Sequence, residues 1–238
     1  MIEYREGTTP LEGYLVYDAS RTNETSPTLI VIHEWMGLND FAKRQADSLA
    51  ALGYVAFAAD VYGKGVRATT PEEAGKLAST YRDDRALFRR RLNAALDHVN
   101  TLPQVDRNKI AAIGYCFGGT GALELARSGA NIAGAVSIHG GLATPTPQDA
   151  RNIKAKVLVQ HGAEDPSVPP AQVQAFMDEM KSAGVDYQFH AYADAVHAFT
   201  NPAAGSDKSK GNAYNPVAAK RAWDQMLLFF SNDLGMRY

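Results

Sequence analysis

A single cysteine lies between two glycines in the segment Gly114–Gly118, with the sequence GYCFG. A nucleophile in this pattern is typical of enzymes that attack carbonyl groups. Apolar residues 110–113 predict a buried strand before it, and Ala- and Leu-rich residues predict a helix after it. Glycines permit this sharp turn, and the helix N-terminus favours a thiolate. Cys116 is therefore predicted to be a nucleophile rather than a small buried hydrophobic residue.

A cysteine nucleophile requires a base, and the base requires an acid that orients it. Asp165 and His197 each follow a segment with the pattern of a strand. Functional groups collect beyond the carboxyl ends of parallel strands, so the two side chains are expected to meet Cys116. The chain order of nucleophile, acid and histidine is that of α/β-hydrolases. Glu164 is an alternative acid, and His161 precedes it closely enough to line the same site.

Acyl transfer also requires N–H groups that stabilise the oxyanion of the tetrahedral intermediate. One donor is the N–H of Phe117, the residue after the nucleophile, and the other comes from the loop after an earlier strand. Trp35 follows the apolar run 28–33, so its N–H is predicted to be the second donor, although packing alone would also explain a tryptophan there. Trp35 and Tyr115 are predicted to shape the substrate pocket.

Strand-like and helix-like segments alternate along the chain, which predicts an α/β fold with a mostly parallel central sheet and helices on both faces. One domain over residues 1–238 is expected. Residues 61–80 contain Gly and Pro and predict an excursion from the core, whereas residues 82–102 predict one long charged helix. Polar residues 19–27 predict a turn.

Composition restricts the possible partners. The formal net charge of −2 gives no attraction to nucleic acid or to an anionic membrane. Cys116 is the only cysteine, so an intrachain disulfide and a cysteine-rich metal site are excluded. No apolar run has the length of a membrane span, and the polar first residues lack the pattern of a secretory signal. A cytoplasmic protein without metal or cofactor is expected, and its oligomeric state is left open.

Several motifs together resemble the dienelactone hydrolase family. They are HEWMG at residues 33–37, DVY at 60–62, GYCFGG at 114–119, HGAED at 161–165 and HAF at 197–199. They occur in the family's order between about residue 13 and residue 230. The resemblance implies a cofactor-free α/β-hydrolase fold with a Cys-His-Asp triad made by Cys116, His197 and Asp165.

The resemblance also implies that Glu34 contacts the resting nucleophile. A carboxylate near a thiol disfavours the thiolate and can accept its proton, and substrate binding would then release an active thiolate. Capping of the following loop is the simpler alternative for Glu34. Family members hold a substrate carboxylate with arginines, but Asn201 stands near one such position here. Arg82 or Arg85 would supply the other cation. Because Asn201 in place of an arginine would weaken the binding of a carboxylate, dienelactone itself is in doubt as the substrate.

The sequence thus predicts a hydrolase of small esters or lactones. Two alternatives remain open. One is an acyltransferase or thiol-dependent peptidase-like enzyme on the same fold, and the other is a non-catalytic protein whose Cys116 thiol senses oxidants.

Overall fold

The computed structural model describes residues 1–21 and 24–237, so residues 22 and 23 of the predicted turn 19–27 lie outside the described residues. The strands are β1 (Ile2–Glu6), β2 (Thr9–Val16), β3 (Ser26–Ile32), β4 (Val55–Ala59), β5 (Val105–Tyr115), β6 (Gly134–Ile138), β7 (Lys156–Gly162) and β8 (Tyr187–Tyr192). The helices are α1 (Asp40–Ala50), α2 (Pro71–Asp83), α3 (Arg85–Val99), α4 (Phe117–Arg127), α5 (Pro170–Ala183) and α6 (Pro216–Leu228). A π-helical turn, Phe229–Asp233, follows α6.

The strands form an eight-stranded sheet in the order β1-β2-β4-β3-β5-β6-β7-β8. β1 and β2 pair antiparallel, and β2 pairs antiparallel with β4. From β4 across to β8 every neighbouring pair is parallel. The carboxyl ends of β3, β5, β6 and β7 therefore meet at one edge of the sheet, where crossover connections place functional loops. The predicted mostly parallel α/β architecture is confirmed.

Apolar side chains cover both faces of this sheet. Ile30 and Ile32 of β3 belong to a core on the face covered by α3 and α4, whereas Leu29 and Val31 belong to a core on the face covered by α1 and α6. This alternation follows from the pleat, which directs successive side chains to opposite faces. It also explains why the central strands read as unbroken apolar runs in the sequence.

The charged helix predicted over residues 82–102 is present as α3, but its bounds are shorter, because the helical conformation is interrupted at Asp84. Asp84 has φ −111° and ψ 83°, which is outside the helical region, and it caps α3. Its Oδ1 accepts a hydrogen bond of 2.8 Å from the N–H of Leu87. As a result Arg82 lies in the last turn of α2, whereas Arg85 begins α3.

The segment 61–80, predicted as an excursion, is helical in its second half. α2 begins at Pro71, because Thr70 caps it by accepting a hydrogen bond of 3.2 Å from the N–H of Glu73. Proline at the first helical position lacks an N–H that would have no partner there. The buried residues of α2 include Ala74 and Tyr81, so this segment packs on the domain rather than leaving it.

Candidate active site

The predicted nucleophile lies at the turn between β5 and α4. Cys116 has φ +55° and ψ −117°, a conformation that a residue with a Cβ adopts only under strain. Its N–H donates to the carbonyl of Ile138, at 3.0 Å, and to Nδ1 of His139, at 3.1 Å. Hydrogen-bond acceptors at the end of β6, the strand next to β5, therefore hold the strained turn in place.

Two glycines are required by close backbone contacts around this turn. A Cβ on Gly114 would lie 1.7 Å from the carbonyl oxygen of Gly118. A Cβ on Gly118 would lie 2.2 Å from the carbonyl oxygen of Ile32. Glycine at both positions lets α4 start directly behind the sheet edge, which leaves the Cys116 side chain at the start of the helix.

The three residues predicted as a triad lie together. Nε2 of His197 is 3.1 Å from Sγ of Cys116, and Nδ1 of His197 is 2.8 Å from Oδ2 of Asp165. Asp165 follows β7 and is buried, and its Oδ1 accepts a hydrogen bond of 2.8 Å from the N–H of Ser167. The alternative acid, Glu164, is turned elsewhere, since its Oε1 accepts a hydrogen bond from the N–H of Asp194.

Electrostatics in this group favour a protonated histidine beside the sulfur. Burial lowers the pKa of His197, but its hydrogen bonds with Asp165 and Cys116 outweigh that effect and raise the pKa to about 10. Burial raises the pKa of Asp165, but the hydrogen bond with His197 contributes to holding it below its ordinary value. The arrangement can therefore hold an imidazolium between an ionised carboxylate and a thiolate.

Hydrogen bonds within residues 193–215 hold the loop that carries the histidine. The N–H of His197 donates to the carbonyl of Gly211 at 3.2 Å, and the N–H of Ala213 donates to the carbonyl of His197 at 3.1 Å. The side-chain amide of Asn215 donates to the carbonyl of Asp194 at 2.7 Å. These bonds join both ends of the loop although it has no strand or α-helix of its own.

Phe117 and Trp35, whose N–H groups are the predicted oxyanion donors, lie at the start of α4 and in the loop after β3. Phe117 is the first residue of α4, so its N–H has no carbonyl partner within the helix. The carbonyl of Trp35 accepts a hydrogen bond of 2.8 Å from the hydroxyl of Tyr62, which orients that part of the loop after β3. Their role as an oxyanion hole stays a prediction.

Glu34 has a different partner from the one expected. Its Oε2 accepts a hydrogen bond of 2.8 Å from the side-chain amide of Asn201, whereas the hydrogen bond of the Cys116 sulfur is with His197. Burial raises the pKa of Glu34 to about 6, against the opposing effects of Asn201 and His197. A carboxylate buried to this degree needs a donor, and Asn201 supplies it.

Two adjoining cavities open at the sulfur. The first has a volume of about 520 Å³, and its wall includes Glu34, Trp35 and Asn201. The second has a volume of about 290 Å³, and its wall includes Arg85, Thr120 and Gln172. Both are lined in addition by Cys116, His197, Arg82 and Ser167. The larger cavity is thus lined by Glu34 together with Arg82 and Lys210, and the smaller one by Arg82 and Arg85 without a carboxylate.

Tyr115 does not line either cavity, which corrects the role predicted for it. It is buried in the core on the side of α1, where its ring packs edge-on against Phe41 with centroids 5.2 Å apart. Its hydroxyl donates to Oε1 of Gln45 at 2.9 Å. Successive residues of a strand point to opposite faces, so a residue next to the nucleophile can face the core. His161 is buried against Phe189 and is also absent from the walls of the two cavities.

His139 connects Cys116 to the loop that carries His197, and the sequence prediction did not include it among the site residues. Because Nδ1 accepts from the N–H of Cys116, its Nε2 carries the proton and donates to Oγ1 of Thr200 at 2.8 Å. Burial lowers the pKa of His139 well below its ordinary value, which keeps the ring neutral as this bonding requires. The sequence did place His139 at the end of the predicted strand that follows Cys116 in the chain, and this position is the signal that could have identified it as a site residue.

Known proteins identify the family of this chain. A model of the dienelactone hydrolase family matches residues 11–234. The chain belongs to the dienelactone hydrolase family. It is 29% identical to a protein of Aquifex aeolicus (strain VF5) whose name proposes it as a carboxymethylenebutenolidase, and the match covers 98% of each chain. The chain is thus a carboxymethylenebutenolidase-like hydrolase, as the resemblance of its motifs implied.

Solved structures agree with this assignment. A dienelactone hydrolase-like promiscuous phosphotriesterase from metagenomic libraries shares 42% identity and a TM-score of 0.92, over 98% of this chain and 96% of that one. An acylaminoacyl peptidase of Pyrococcus horikoshii, at 17% identity and a TM-score of 0.74, shares the fold over 100% of this chain and 42% of that one.

Metal-binding clusters and membrane-spanning helices were looked for among the described residues. Within residues 1–21 and 24–237, no group of three or more His, Cys, Asp or Glu side chains could hold a metal ion. In the same part of the chain, no helix is both long enough and apolar enough to cross a membrane.

Proposed function

We propose that this dienelactone hydrolase family member hydrolyses small esters or lactones through Cys116, His197 and Asp165. The observation that carries the proposal is the position of the His197 ring, whose two nitrogens lie 3.1 Å from Sγ of Cys116 and 2.8 Å from Oδ2 of Asp165. A nucleophile, a base and an orienting acid in contact at a cleft are the parts that covalent acyl transfer needs.

The first half of the reaction forms a thioester. The thiolate of Cys116 attacks the ester carbonyl, and the N–H groups of Phe117 and Trp35 stabilise the resulting oxyanion. The carbon–oxygen bond to the leaving group then breaks, and Nε2–H of His197 gives its proton to the departing alkoxide. In a lactone the released hydroxyl stays attached to the acyl group.

The second half consumes water. Neutral His197 takes a proton from a water molecule, and the hydroxide attacks the thioester carbonyl. The carbon–sulfur bond breaks, which releases a carboxylic acid and returns the thiolate–imidazolium pair. Asp165 keeps Nδ1 protonated and stabilises the positive ring in both halves, so it acts through His197.

Glu34 would regulate the nucleophile in this proposal. Its carboxylate would have to leave Asn201 and reach Cys116 to act as the gate that the family resemblance implies. The structure supports an arrangement in which the sulfur pairs with His197 while Asn201 holds Glu34 away. A buried anion near the ring also favours the imidazolium, as the effect of His197 on Glu34 indicates.

A panel of para-nitrophenyl esters and small lactones tests the function. Wild-type protein should turn over some of these substrates, and Cys116→Ala should lose about 10³-fold or more in kcat/KM with its fold intact. His197→Gln should lose activity as well. His190→Gln is its matched control and should keep wild-type activity, because His190 lies on the edge strand β8, away from the cleft. Unchanged esterase activity in Cys116→Ala would refute the assignment, and product analysis with added amine and alcohol acceptors would detect acyl transfer.

Phosphotriester hydrolysis is a second candidate, favoured by the 42% identity to the promiscuous phosphotriesterase. Sγ of Cys116 would attack phosphorus, and an aryloxide would leave with the proton from His197. Water activated by the same ring would then cleave the sulfur–phosphorus bond. Release of para-nitrophenol from paraoxon by the wild type, together with its loss in Cys116→Ala, is the expected result. Stoichiometric release without turnover would argue against this activity.

A further inference from the structure

His33 directly follows β3 and begins the loop that carries Trp35, and the proposed reaction does not use its side chain. The side chain is buried, and its Nε2 accepts a hydrogen bond of 3.2 Å from the N–H of Val61. The proton of the neutral ring is therefore on Nδ1, which donates to the carbonyl oxygen of Glu34 at 2.6 Å. Burial lowers the pKa of His33 to about 4, so the ring is neutral at pH 7, as this bonding requires.

The carbonyl that His33 holds belongs to the same peptide group as the N–H of Trp35. This peptide group is trans, so its C=O and N–H point in opposite directions. The N–H of Gly37 also donates to the carbonyl of Glu34, at 3.1 Å, so two donors fix the direction of the C=O. They thereby fix the direction of the Trp35 N–H, which donates no hydrogen bond to any residue that the structure describes.

The ring of His33 also contacts both segments that carry the predicted oxyanion donors. It is stacked on the ring of Phe117, with centroids 5.8 Å apart and an angle of 17° between the planes. It packs edge-on against Tyr62 at 4.8 Å, and the Tyr62 hydroxyl holds the carbonyl of Trp35. A Cβ on Gly118 would lie 2.7 Å from the carbonyl oxygen of His33, so the first turn of α4 touches the end of β3.

We propose that His33 is a positioning residue for the oxyanion hole. Its Nδ1–H holds the carbonyl of Glu34 so that the N–H of Trp35 faces the carbonyl oxygen of the bound ester. This inference rests on the proposed ester hydrolysis and adds to it a residue that acts through the backbone of Trp35. A donor contributes most when its direction is fixed before the charge develops, because no reorientation is then needed in the transition state.

Two reactions of Cys116 separate this role from a merely structural one. Attack on para-nitrophenyl acetate forms a tetrahedral oxyanion. Alkylation by iodoacetamide forms none, because the carbon–sulfur bond forms as the carbon–iodine bond breaks and iodide leaves. Cys116 is the only cysteine, so the gain in mass reports on it alone. The quantity measured is the ratio of kcat/KM for the ester to the second-order rate constant of alkylation at the same pH.

Two substitutions divide the hydrogen bonds of His33 between them. Asparagine can place an amide N–H near the position of Nδ1, whereas glutamine can place an amide oxygen near the position of Nε2. His33→Gln should therefore lower the ratio about 10-fold or more, and His33→Asn should lower it less. The loss should be in kcat rather than in KM, because the oxyanion exists only after the ester has bound.

His98→Gln is the matched control. His98 packs on the rings of Tyr4 and Phe57, which belong to the same core as the rings against His33. It lines neither cavity at the sulfur. The substitution should leave both rate constants at their wild-type values.

The inference is overturned if His33→Gln keeps the wild-type ratio, or if His33→Asn lowers the ratio by as much. A parallel fall of both rate constants in His33→Gln also overturns it, because His33 would then support only the fold around Cys116. Should His33→Gln fail to fold, His33→Phe takes its place with the same expectation, because it keeps a ring but supplies no donor.

Cys116→Ala separates this inference from the proposed function. If that variant loses ester turnover while the ratio does not respond to His33, only the positioning role is wrong. If that variant keeps wild-type turnover, the proposed function itself fails.

Discussion

The cysteine and the histidine reach the same cleft by different structural means. Cys116 is held by a turn in which backbone atoms of the turn itself and of the neighbouring strand β3 approach so closely that only glycine fits at positions 114 and 118. His197 is held by an irregular loop whose hydrogen bonds join residues such as Asn215 and Asp194. Adding even one methyl group to a sterically filled turn destabilises the fold strongly, whereas the loss of one hydrogen bond from a loop costs only a small part of its stability. We expect mutations in the turn to affect folding and mutations in the loop to affect turnover first.

The largest expected effect is at the turn itself. Gly118→Ala should lower the free energy of unfolding by about 3 kcal/mol, because the new Cβ would meet the carbonyl oxygen of Ile32 at 2.2 Å. Gly75→Ala on α2 is the matched control, since nothing lies within 4 Å of its Cβ. It should stabilise by about 0.5 kcal/mol. Urea unfolding measures both, and equal effects would show that the turn is not sterically constrained.

The second-largest expected effect distinguishes between the two acidic residues that follow β7, Asp165 and Glu164. Asp165→Asn should reduce kcat/KM about 10²-fold while the free energy of unfolding changes less, since the amide cannot stabilise the His197 imidazolium. Glu164→Gln is the neighbouring control, because the carboxylate of Glu164 accepts from the N–H of Asp194 and not from His197. Steady-state kinetics on one ester suffice. A larger loss in Glu164→Gln than in Asp165→Asn would reverse the assignment of the acid.

The pH dependence of stability reports on Glu34, which lies between the two regions. Its pKa is about 6 when folded and near 4.5 otherwise, so the unfolded chain ionises first as pH rises. The stability from this group is complete below about pH 4.5 and is lost by pH 6, a loss of about 2 kcal/mol. Glu34→Gln should therefore match wild type at pH 4 and exceed its free energy of unfolding by about 2 kcal/mol at pH 7.

A constant difference between Glu34→Gln and wild type across this range would show that Glu34 ionises as freely as a surface residue.

The smallest expected effect is at Asn215, at the end of the loop that carries His197. Asn215 caps α6 and also donates to the carbonyl of Asp194, so Asn215→Ala should cost about 1 kcal/mol of stability and lower kcat/KM about fivefold. Thr70→Ala removes the cap of α2 at a similar cost in stability. Its kinetics should equal those of the wild type. If both variants lose activity equally, the loop does not position His197 through Asn215.

Local patterns predicted the parts of this protein that depend on neighbours in sequence. The strand, the glycines and the helix around Cys116 are contiguous, so their pattern alone indicated the turn. Tyr115 is contiguous too, yet its pocket role was wrong because the pleat of β5 turns it toward α1. The break at Asp84 was missed because no glycine or proline marks it, and a capping aspartate resembles any charged residue of a helix.

The sequence by itself determined the alternation of strands and helices, the turn around Cys116 and the resemblance to the family, because each depends on short motifs and on the spacing of apolar residues and glycines. Only the tertiary structure decided which acid faces His197, that His139 ties Cys116 to Thr200, and that Nε and Nη1 of Arg85 are buried without a hydrogen-bond partner among the described residues. These features depend on side chains that meet across the ends of different strands. Their distances are set by the packing of the whole sheet and not by any interval along the chain.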